Sequence, residues 1–265
     1  MGELAEVEVQ QQGAMMIITI NRPEQMNCVN DKVAEGITEA LQDAEADSAV
    51  RSVILTGAGD RAFCTGMDLK FAATHGSSSV IIPGRGFAGV GGYDFPKPLI
   101  AAVNGYAVAG GLEIVLNCDL IVATEDARFG LPEAKRGLLA TGGGLVRLSE
   151  LVGRSVAIEL ALTSEPILAD RAMELGMINR VVPRERLLAG ALSFADKIAA
   201  SGPQAILNSK RLLRGSYARA TERIWQLNSE LAIVTMESSE AAEGMAAFIE
   251  RREPRWQRME DESLS

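Results

Sequence analysis

Apolar residues along the first half of the chain fall into two alternating patterns. Within residues 31–46, apolar side chains recur every three or four positions, which is the spacing of one helical face; they are Val33, Ile37, Ala40, Leu41 and Ala44. Between segments of this kind lie short, β-branched runs that predict strands at residues 14–20, 52–56, 99–103, 120–123 and 178–182. Because these runs are apolar at nearly every position, their sheets must be covered on both faces, and the pattern predicts an α/β fold.

The pattern changes after Gly153, where segments of helical period dominate. We predict helices at residues 156–162, 169–175, 184–200, 203–213 and 221–235, so the C-terminal third of the chain is mostly helical. Residues 74–93 follow neither period, because glycine, serine and one proline interrupt them. A loop of this length in a compact domain is usually functional or mobile, and we expect it to flank a substrate site.

Composition and charge argue against several classes of protein. The 265 residues are 47% hydrophobic and 23% charged, which is enough apolar material for one large domain or for one domain with an appendage. A net charge of -9 repels phosphate, so we expect no general affinity for nucleic acid or for an anionic membrane. No run approaches the roughly 18 apolar residues of a membrane span, and the acidic N-terminus resembles neither a signal peptide nor a transit peptide. A cytoplasmic location is therefore expected.

Few residues are candidates for metal, disulfide or nucleophilic chemistry. Cys28, Cys64 and Cys118 are odd in number and lack the spacing of metal ligands, so we expect neither disulfides nor a metal site. The one histidine, His75, lies in the irregular segment without a recognisable nucleophile elbow, and we interpret it as a solvated loop residue. The three glycines at 142–144 lack a following Lys-Ser or Lys-Thr, so we interpret them as the tight entry to a helix at 145–151, not as a phosphate cradle.

A strand, a glycine pair and a helix follow one another in KPLIAAVNGYAVAGGLE, residues 97–113. The helix is predicted to begin near Ala109, so its first NH groups are free and its dipole favours an oxygen that is gaining negative charge. Gly110 and Gly111 would let a ligand approach these NH groups closely. Glu113 lies in the same first turn, so its carboxylate can face the ligand. Close helix–strand packing at the glycines, with Glu113 favouring the helix N-terminus, would explain the same residues without catalysis.

A second acid, Glu133, follows Pro132 in the otherwise apolar turn FGLPEA. The preceding strand could bring this turn back beside the glycine helix, where Glu133 would join Glu113. Taken alone, a glutamate in such a turn is usually a solvated loop acid.

A second candidate donor lies in RAFCTGMDLK, residues 61–70. Gly66 allows an unusual turn, and Met67 is predicted to begin a short helix whose first NH would point at the ligand. A structural interpretation of the same residues takes Asp68 as a helix-start residue and Phe63 as part of the core. The preceding glycines at 57 and 59 form a loose dinucleotide fingerprint, which we reject because Gly66 breaks the helix that the fingerprint requires.

With these segments in view, the sequence resembles the crotonase superfamily, the enoyl-CoA hydratase/isomerase family, over essentially its whole length. The similar segments are INRPEQMN, AFCTGMDLK, KPLIAAVNGYAVAGGLE, FGLPEAKRGL, RAMELGMINRVVP and EGMAAFIERREPRW. The resemblance implies a spiral of ββα units over residues 1–200 and a helical C-terminal trimerisation region over residues 201–265. It also implies assembly as a homotrimer or as a dimer of trimers.

The resemblance further implies roles for individual residues. The family's oxyanion hole corresponds to the NH groups of Met67 and Gly110, and its two hydratase acids correspond to Glu113 and Glu133. The coenzyme A site corresponds to one short segment and one glycine: Met67, Asp68, Leu69, Lys70 and Gly110. The implied reaction is reversible hydration of a 2-enoyl-CoA thioester to 3-hydroxyacyl-CoA. Coenzyme A is then part of the substrate, and no metal or other cofactor is needed.

Two departures from the family pattern keep related reactions open. Thr141 stands near the reacting water, at a position where many hydratases have glycine. The segment GRGFAG and the ending REPRWQR are similar to the carnitinyl-CoA dehydratase branch, so dehydration of a polar 3-hydroxyacyl-CoA is one alternative. Isomerisation of an enoyl-CoA double bond is another, although the presence of both glutamates counts against a single-acid isomerase. From a different class, a non-catalytic acyl-CoA-binding protein would keep the NH donors without needing both acids.

Overall fold

Twelve strands and nine α-helices are formed by residues 5–255, the part of the chain that the computed structural model describes, apart from the side chains of residues 216–224. The strands are β1 (Val7–Gln12), β2 (Met15–Ile20), β3 (Ser52–Gly57), β4 (Ala62–Cys64), β5 (Ile81–Ile82), β6 (Gly86–Phe87), β7 (Leu99–Val103), β8 (Tyr106–Val108), β9 (Leu120–Thr124), β10 (Arg128–Gly130), β11 (Ile167–Leu168) and β12 (Arg180–Val182). The α-helices are α1 (Asp31–Ala46), α2 (Leu69–His75), α3 (Gly110–Leu116), α4 (Gly144–Val152), α5 (Arg154–Thr163), α6 (Ala169–Glu174), α7 (Leu187–Ala199), α8 (Pro203–Met236) and α9 (Ser239–Glu250). Short 3-10 helices lie at Pro23–Gln25, Ser77–Val80, Pro132–Arg136 and Arg184–Arg186.

The chain winds as a spiral between two sheets. A six-stranded sheet has the order β1-β2-β3-β7-β9-β12, and a four-stranded sheet has the order β11-β10-β8-β4. Three successive turns each run from the first sheet to the second and then into a helix: β3-β4-α2, β7-β8-α3, and β9-β10 with the 3-10 helix Pro132–Arg136. Because β3, β7 and β9 pair in parallel, as do β4, β8 and β10, the turns stack directly on one another. This order confirms the predicted spiral of ββα units.

The strands β2, β3, β7 and β9 of the large sheet are buried on both faces, as their near-continuous apolar runs predict, whereas the edge strand β1 is mostly exposed. On β2, Met16 and Ile18 join the main core with α1, whereas Met15 and Ile17 join a second core on the opposite face. Helix α7 closes that second core, with Ala191 among its residues. Alternation of side chains between the two faces of a strand therefore fixes which residues meet the spiral interior.

Helix α1 begins where the sequence supplies a cap. The side chain of Asn30 accepts a hydrogen bond from the NH of Val33 at 3.0 Å, which satisfies one of the free donors of the first turn. All five apolar residues predicted to share one face of this helix are buried. The helical period therefore predicted both the element and its core face.

The C-terminal helices differ from their predicted bounds. Residues 203–213 and 221–235 belong to one helix, α8, because the glycine between them, Gly215, costs only about 1 kcal/mol inside a helix and no capping signal accompanies it. The predicted helix at 184–200 is a 3-10 turn followed by α7. The end of the REPRWQR segment, from Trp256 onward, lies outside the described residues. The division at residue 200 and the trimerisation role of residues 201–265 stay predictions.

Candidate active site

The two glycine-containing stretches meet at Gly66 and Gly110. A Cβ atom on Gly66 would lie 2.9 Å from the Cβ of Ala109 and 3.0 Å from the backbone nitrogen of Gly110. Gly66 also has φ of +86°, a backbone conformation that residues with a side chain rarely adopt. The close approach brings Met67, the next residue, beside the first turn of α3.

The backbone NH of Met67 takes no part in the local pairing. Met67 forms an isolated parallel bridge with Val29, in which the Gly66 carbonyl accepts from the Val29 NH and the Asp68 NH donates to the Val29 carbonyl, both at 2.8 Å. Neither bond uses the Met67 NH. This donor is therefore available to a ligand.

Asp68 fixes the start of α2 and is held in turn by Arg22. As the N-cap, Asp68 accepts a hydrogen bond from the NH of Phe71 at 3.1 Å, so its predicted role at the helix start is confirmed. The prediction that the helix begins at Met67 is wrong by two residues, because a capping residue lies outside its helix. Arg22 forms an ion pair with Asp68 at 3.0 Å. Although burial acts to raise it, the Phe71 NH and the Arg22 guanidinium hold the pKa of Asp68 below its usual value.

Gly110 is the first residue of α3, so its NH has no partner within the helix. Ala109 before it has φ of +53°, an uncommon conformation for alanine, and its NH donates to the carbonyl of Gly130 at 3.0 Å. A Cβ atom on Gly110 would lie 2.4 Å from a ring carbon of Phe87. Phe87 belongs to the segment 74–93, which therefore contacts this corner, as expected of a segment that flanks the site.

Glu113 is a buried acid whose carboxylate contacts the backbone of the 142–144 segment. Its side chain is 4% exposed, and Oε1 accepts a hydrogen bond from the NH of Gly144 at 2.9 Å. Gly142 approaches so closely that a Cβ atom there would lie 2.5 Å from Oε2. Burial raises the pKa of Glu113, while the NH groups of Gly144 and Gly142 and the positive charge of Arg147 act to lower it.

Glu133 lies in the 3-10 helix Pro132–Arg136 and is not the solvated loop acid that its isolated position would suggest. Its Oε2 atom is buried and has no hydrogen-bond partner among the residues that the structure describes. Burial and the negative charge of Glu113 raise the pKa of Glu133 to about 8, against a smaller opposite effect of Arg136. Helix α9 packs on this element, because a Cβ atom on Gly244 would lie 1.9 Å from the carbonyl oxygen of Arg136.

The two carboxyl groups therefore have different environments. The Gly144 NH and the Arg147 guanidinium act to ionise Glu113, although burial still leaves its pKa raised. Glu133 lacks such donors and is desolvated beside the Glu113 charge, which favours the protonated form at neutral pH. Two buried carboxyl groups whose hydrogen bonding and nearby charges differ in this way are the pattern of a base paired with an acid.

The predicted coenzyme A segment leads from this corner to the surface. Met67, Asp68 and Leu69 are half-buried, and Lys70 is exposed. A ligand held at the two NH groups could therefore extend along the start of α2 into solvent. The catalytic and binding roles assigned to these residues stay predictions.

The histidine and the cysteines considered in the sequence form no disulfide or metal site among the described residues. His75 is exposed, but it is the last residue of α2 and stacks on Phe71 with ring centroids 4.3 Å apart, so its prediction as a loop residue is wrong. The three cysteines are free thiols. Among the side chains that the structure describes, those of residues 5–215 and 225–255, no group of three or more His, Cys, Asp or Glu could hold a metal ion. In the same range no helix is long and apolar enough to cross a bilayer.

Sequence reasoning missed the residues behind Glu113. Residues 142–144 do open helix α4, as predicted, but Gly142 and Gly144 also hold the carboxylate of Glu113. Arg147, one turn into α4, donates to the carbonyl of Gly142 at 3.1 Å. Three consecutive glycines followed by an arginine on an otherwise apolar helix were the only available signal.

The chain is similar to known proteins over almost its whole length. The family model described as Enoyl-CoA hydratase/isomerase matches residues 10–259. A short-chain-enoyl-CoA hydratase of Clostridium acetobutylicum is 35% identical over 256 residues, which cover 94% of this chain and 97% of that protein. A carnitinyl-CoA dehydratase of Proteus mirabilis is 34% identical over 249 residues, which cover 92% of this chain and 95% of that protein. The crystal structure of a carnitinyl-CoA hydratase from Mycobacterium avium has a TM-score of 0.90 and 41% identity, covering 96% of this chain and 99% of that one.

Proposed function

Since the chain belongs to the enoyl-CoA hydratase/isomerase family, we propose that it catalyses the reversible addition of water to 2-enoyl-CoA thioesters, which gives 3-hydroxyacyl-CoA. The family resemblance and the fold class predicted from the sequence are both confirmed. The observation that carries the reaction is the pair of neighbouring buried glutamates, of which Glu113 accepts a backbone NH beside a guanidinium and Glu133 is desolvated next to the Glu113 charge.

In the proposed mechanism, the NH groups of Met67 and Gly110 donate to the thioester oxygen. Negative charge develops on that oxygen when a nucleophile attacks the β carbon of the conjugated thioester, so the two donors stabilise the enolate more than the ground state. Each such donor contributes about 3 kcal/mol to the transition state in other enzymes. The Gly66–Gly110 contact supports this role because it holds both donors at one corner.

The two glutamates move the protons. Ionised Glu113 accepts a proton from water as the water oxygen bonds to the β carbon, and the electron pair of the double bond passes to the enolate. Protonated Glu133 then gives its proton to the α carbon, which restores the thioester. One water is consumed, and proton exchange with solvent or between the two acids restores the starting state. The same steps in reverse are a dehydration.

Coenzyme A is proposed to lie along Met67–Lys70 as part of the substrate, with no metal or additional cofactor. A homotrimer or a dimer of trimers is proposed for the assembly. Support comes from α8, which exposes large apolar side chains of the kind found at interfaces: Leu212, Leu227, Leu231, Ile233 and Val234. A cytoplasmic location is proposed as well.

Dehydration of a polar 3-hydroxyacyl-CoA is the second candidate. It is favoured by Thr141, which replaces a glycine, and by the similarity to proteins named carnitinyl-CoA dehydratase and carnitinyl-CoA hydratase. Both candidates use the same two glutamates, so they differ in the preferred acyl group and not in the site.

The test is the loss of enoyl-thioester absorbance when the protein is mixed with crotonyl-CoA. Wild type should hydrate this substrate, and Glu113→Gln and Glu133→Gln should each lower kcat by about 100-fold or more. Glu125→Gln is a matched control, because Glu125 is exposed. A wild type inactive on crotonyl-CoA and on longer 2-enoyl-CoAs but active on carnitinyl-CoA would favour the second candidate. Full activity of the Glu113→Gln, Glu133→Gln double variant would overturn the catalytic assignment.

A further inference from the structure

The loop of residues 141–144 is the part of the structure that grips Glu113. Its glycines donate to and crowd the carboxylate, with the Gly144 NH at 2.9 Å from Oε1 and the Gly142 backbone against Oε2. A shift of this loop would therefore move the carboxylate directly. What holds the loop in place consequently bears on the geometry of the base.

Arg147 holds the loop from within helix α4. Its Nη1 donates to the carbonyl of Gly142 at 3.1 Å, and the guanidinium is close enough to Glu113 to act on its charge. Arg147 is itself half-buried, and burial lowers its pKa to about 10, with the positive charge of Arg214 adding to the effect. A guanidinium kept out of water at this point needs partners, and the loop carbonyl and Glu113 supply them.

Helix α8 also contacts this loop. The Asn228 side-chain amide donates to the carbonyl of Thr141 at 2.9 Å. The Trp225 ring lies 5.1 Å from the Arg147 guanidinium carbon. The ring also reaches the loop backbone, because a Cβ atom on Gly143 would lie 2.2 Å from a Trp225 ring carbon. Two residues one turn apart on α8 thus contact Thr141 and Gly143 of the loop, and one of them, Trp225, also contacts Arg147.

We propose that Arg147, Trp225 and Asn228 form a clamp on the 141–144 loop, and that helix α8 thereby positions the carboxylate of Glu113 for water activation. This inference rests on the proposed role of Glu113 as the base. The three residues are positioning residues, since they act on the reacting atoms through the loop. The C-terminal helix is then required for proton transfer within its own subunit, in addition to any part it has in assembly.

The charges around Glu113 and Arg147 define what a pH profile would report. They come from each element packed here: Glu133 of the 3-10 helix, Glu150 of α4, Arg214 of α8 and the thiol of Cys118 after α3. Among the side chains that the structure describes, only Arg147 both acts on the charge of Glu113 and donates to the loop that holds it. Loss of its positive charge should raise the pKa of Glu113 further, so the acidic limb of kcat/KM should move to higher pH.

The experiment compares kcat, KM and the pH profile of Arg147→Gln, Trp225→Leu and Asn228→Ala with wild type, using crotonyl-CoA. We expect kcat to fall about 10- to 100-fold in each variant with KM changed less than about threefold, because the base is displaced while the substrate contacts remain. Arg147→Gln alone should also shift the acidic limb upward. Trp225→Phe, which keeps an aromatic ring over the guanidinium, should recover most of kcat.

Controls separate the clamp from general stability. Arg154→Gln on α5 and Gln226→Ala on α8 change exposed residues near the clamp residues in sequence, and both should keep wild-type kcat. If Arg147→Gln does not fold, the two α8 variants carry the test. If both Trp225→Leu and Asn228→Ala keep the kcat of the wild-type protein, the clamp is overturned. In that case the hydratase activity of the wild-type protein would still support the proposed function. A wild type inactive on crotonyl-CoA, on longer 2-enoyl-CoAs and on carnitinyl-CoA would instead refute the proposed function.

Discussion

Above neutral pH, the rate of hydration is expected to follow the loss of the proton from Glu133. Burial and the charge of Glu113 raise the pKa of Glu133 to about 8. At that pKa roughly nine in ten Glu133 carboxyls are protonated at pH ~7 and roughly one in ten at pH ~9, whereas an ordinary glutamate is protonated in fewer than about one in a hundred molecules at pH ~7. Because the protonated form donates to the α carbon, kcat/KM at pH ~9 should be about one tenth of its plateau value.

The substitution Arg136→Gln tests whether Glu133 is the group that sets the basic limb of the pH profile. The Arg136 charge acts to lower the pKa of Glu133, so its removal should shift the basic limb upward by about half a pH unit. Lys135→Gln is the neighbouring control, because Lys135 is exposed and pairs with Glu165. Initial rates would be measured from enoyl-thioester absorbance between pH ~6 and ~10, with non-enzymatic thioester hydrolysis subtracted and folding checked by circular dichroism at each pH.

The reasoning would be refuted in either of two ways. A kcat/KM that stays level to pH ~10 would mean that the proton on Glu133 is not used or that its environment is ordinary. A basic limb near pH ~8 that moves equally in Arg136→Gln and Lys135→Gln would mean that the limb reports another group.

Three further outcomes follow from the same contacts. Glu133→Gln should gain thermal stability relative to wild type as pH rises from ~4 to ~8, by about 3 °C or more in total. Because the pKa of Glu133 is raised to about 8 in the folded protein, wild type loses stability across this window, where the unfolded chain releases a proton that the folded protein still holds; equal melting curves at all pH values would contradict it. Gly66→Ala should separate the two NH donors and lower kcat by about 100-fold, whereas Gly13→Ala, at φ of +58° with nothing within 4 Å, should leave kcat unchanged. Asn27→Ala should lower the free energy of unfolding in urea by about 3 kcal/mol, because the Asn27 amide donates to the carbonyls of Ala58 and Ala62 at 2.9 and 2.7 Å; a change below about 1 kcal/mol would contradict this.

The sequence predicted the elements whose pattern repeats over many residues. The exposed edge strand β1 was missed, whereas the helix Asp31–Ala46 and the strands β2, β3, β7, β9 and β12 of the large sheet were found from their apolar patterns. The strands β4, β8 and β10 were not, since three residues carry no period and their pairing is set by neighbouring turns of the spiral. The long helix α8 was divided at Gly215 for a related reason, because local propensity does not register the contacts that continue a helix.

The candidate site was predictable only where a residue type, such as glycine or glutamate, itself indicated a chemical role. Glycines beside Glu113 indicated free NH groups near a carboxylate, and the segment around Met67 indicated a second donor. The contact between Gly66 and Gly110, and the grip of Gly144 on Glu113, join residues distant in sequence and follow from the stacking of the turns. Asn228 carries no local signal, and Arg147 is marked only by its place after three glycines, because the role of each depends on the carbonyl that it binds.

The order of the small sheet sets the spacing between three groups of the proposed active site. Met67, Gly110 and Glu133 each follow a strand end by two or three residues, and the strands they follow, β4, β8 and β10, are adjacent in that sheet. Neighbouring strands lie about 4.8 Å apart, so the backbone positions of the three groups are separated by the regular spacing of this hydrogen-bonded ladder. The ladder's hydrogen bonds do not depend on which side chains line the acyl pocket. Substitutions in the pocket can therefore change the substrate that is accepted while the spacing of donors and acid stays the same.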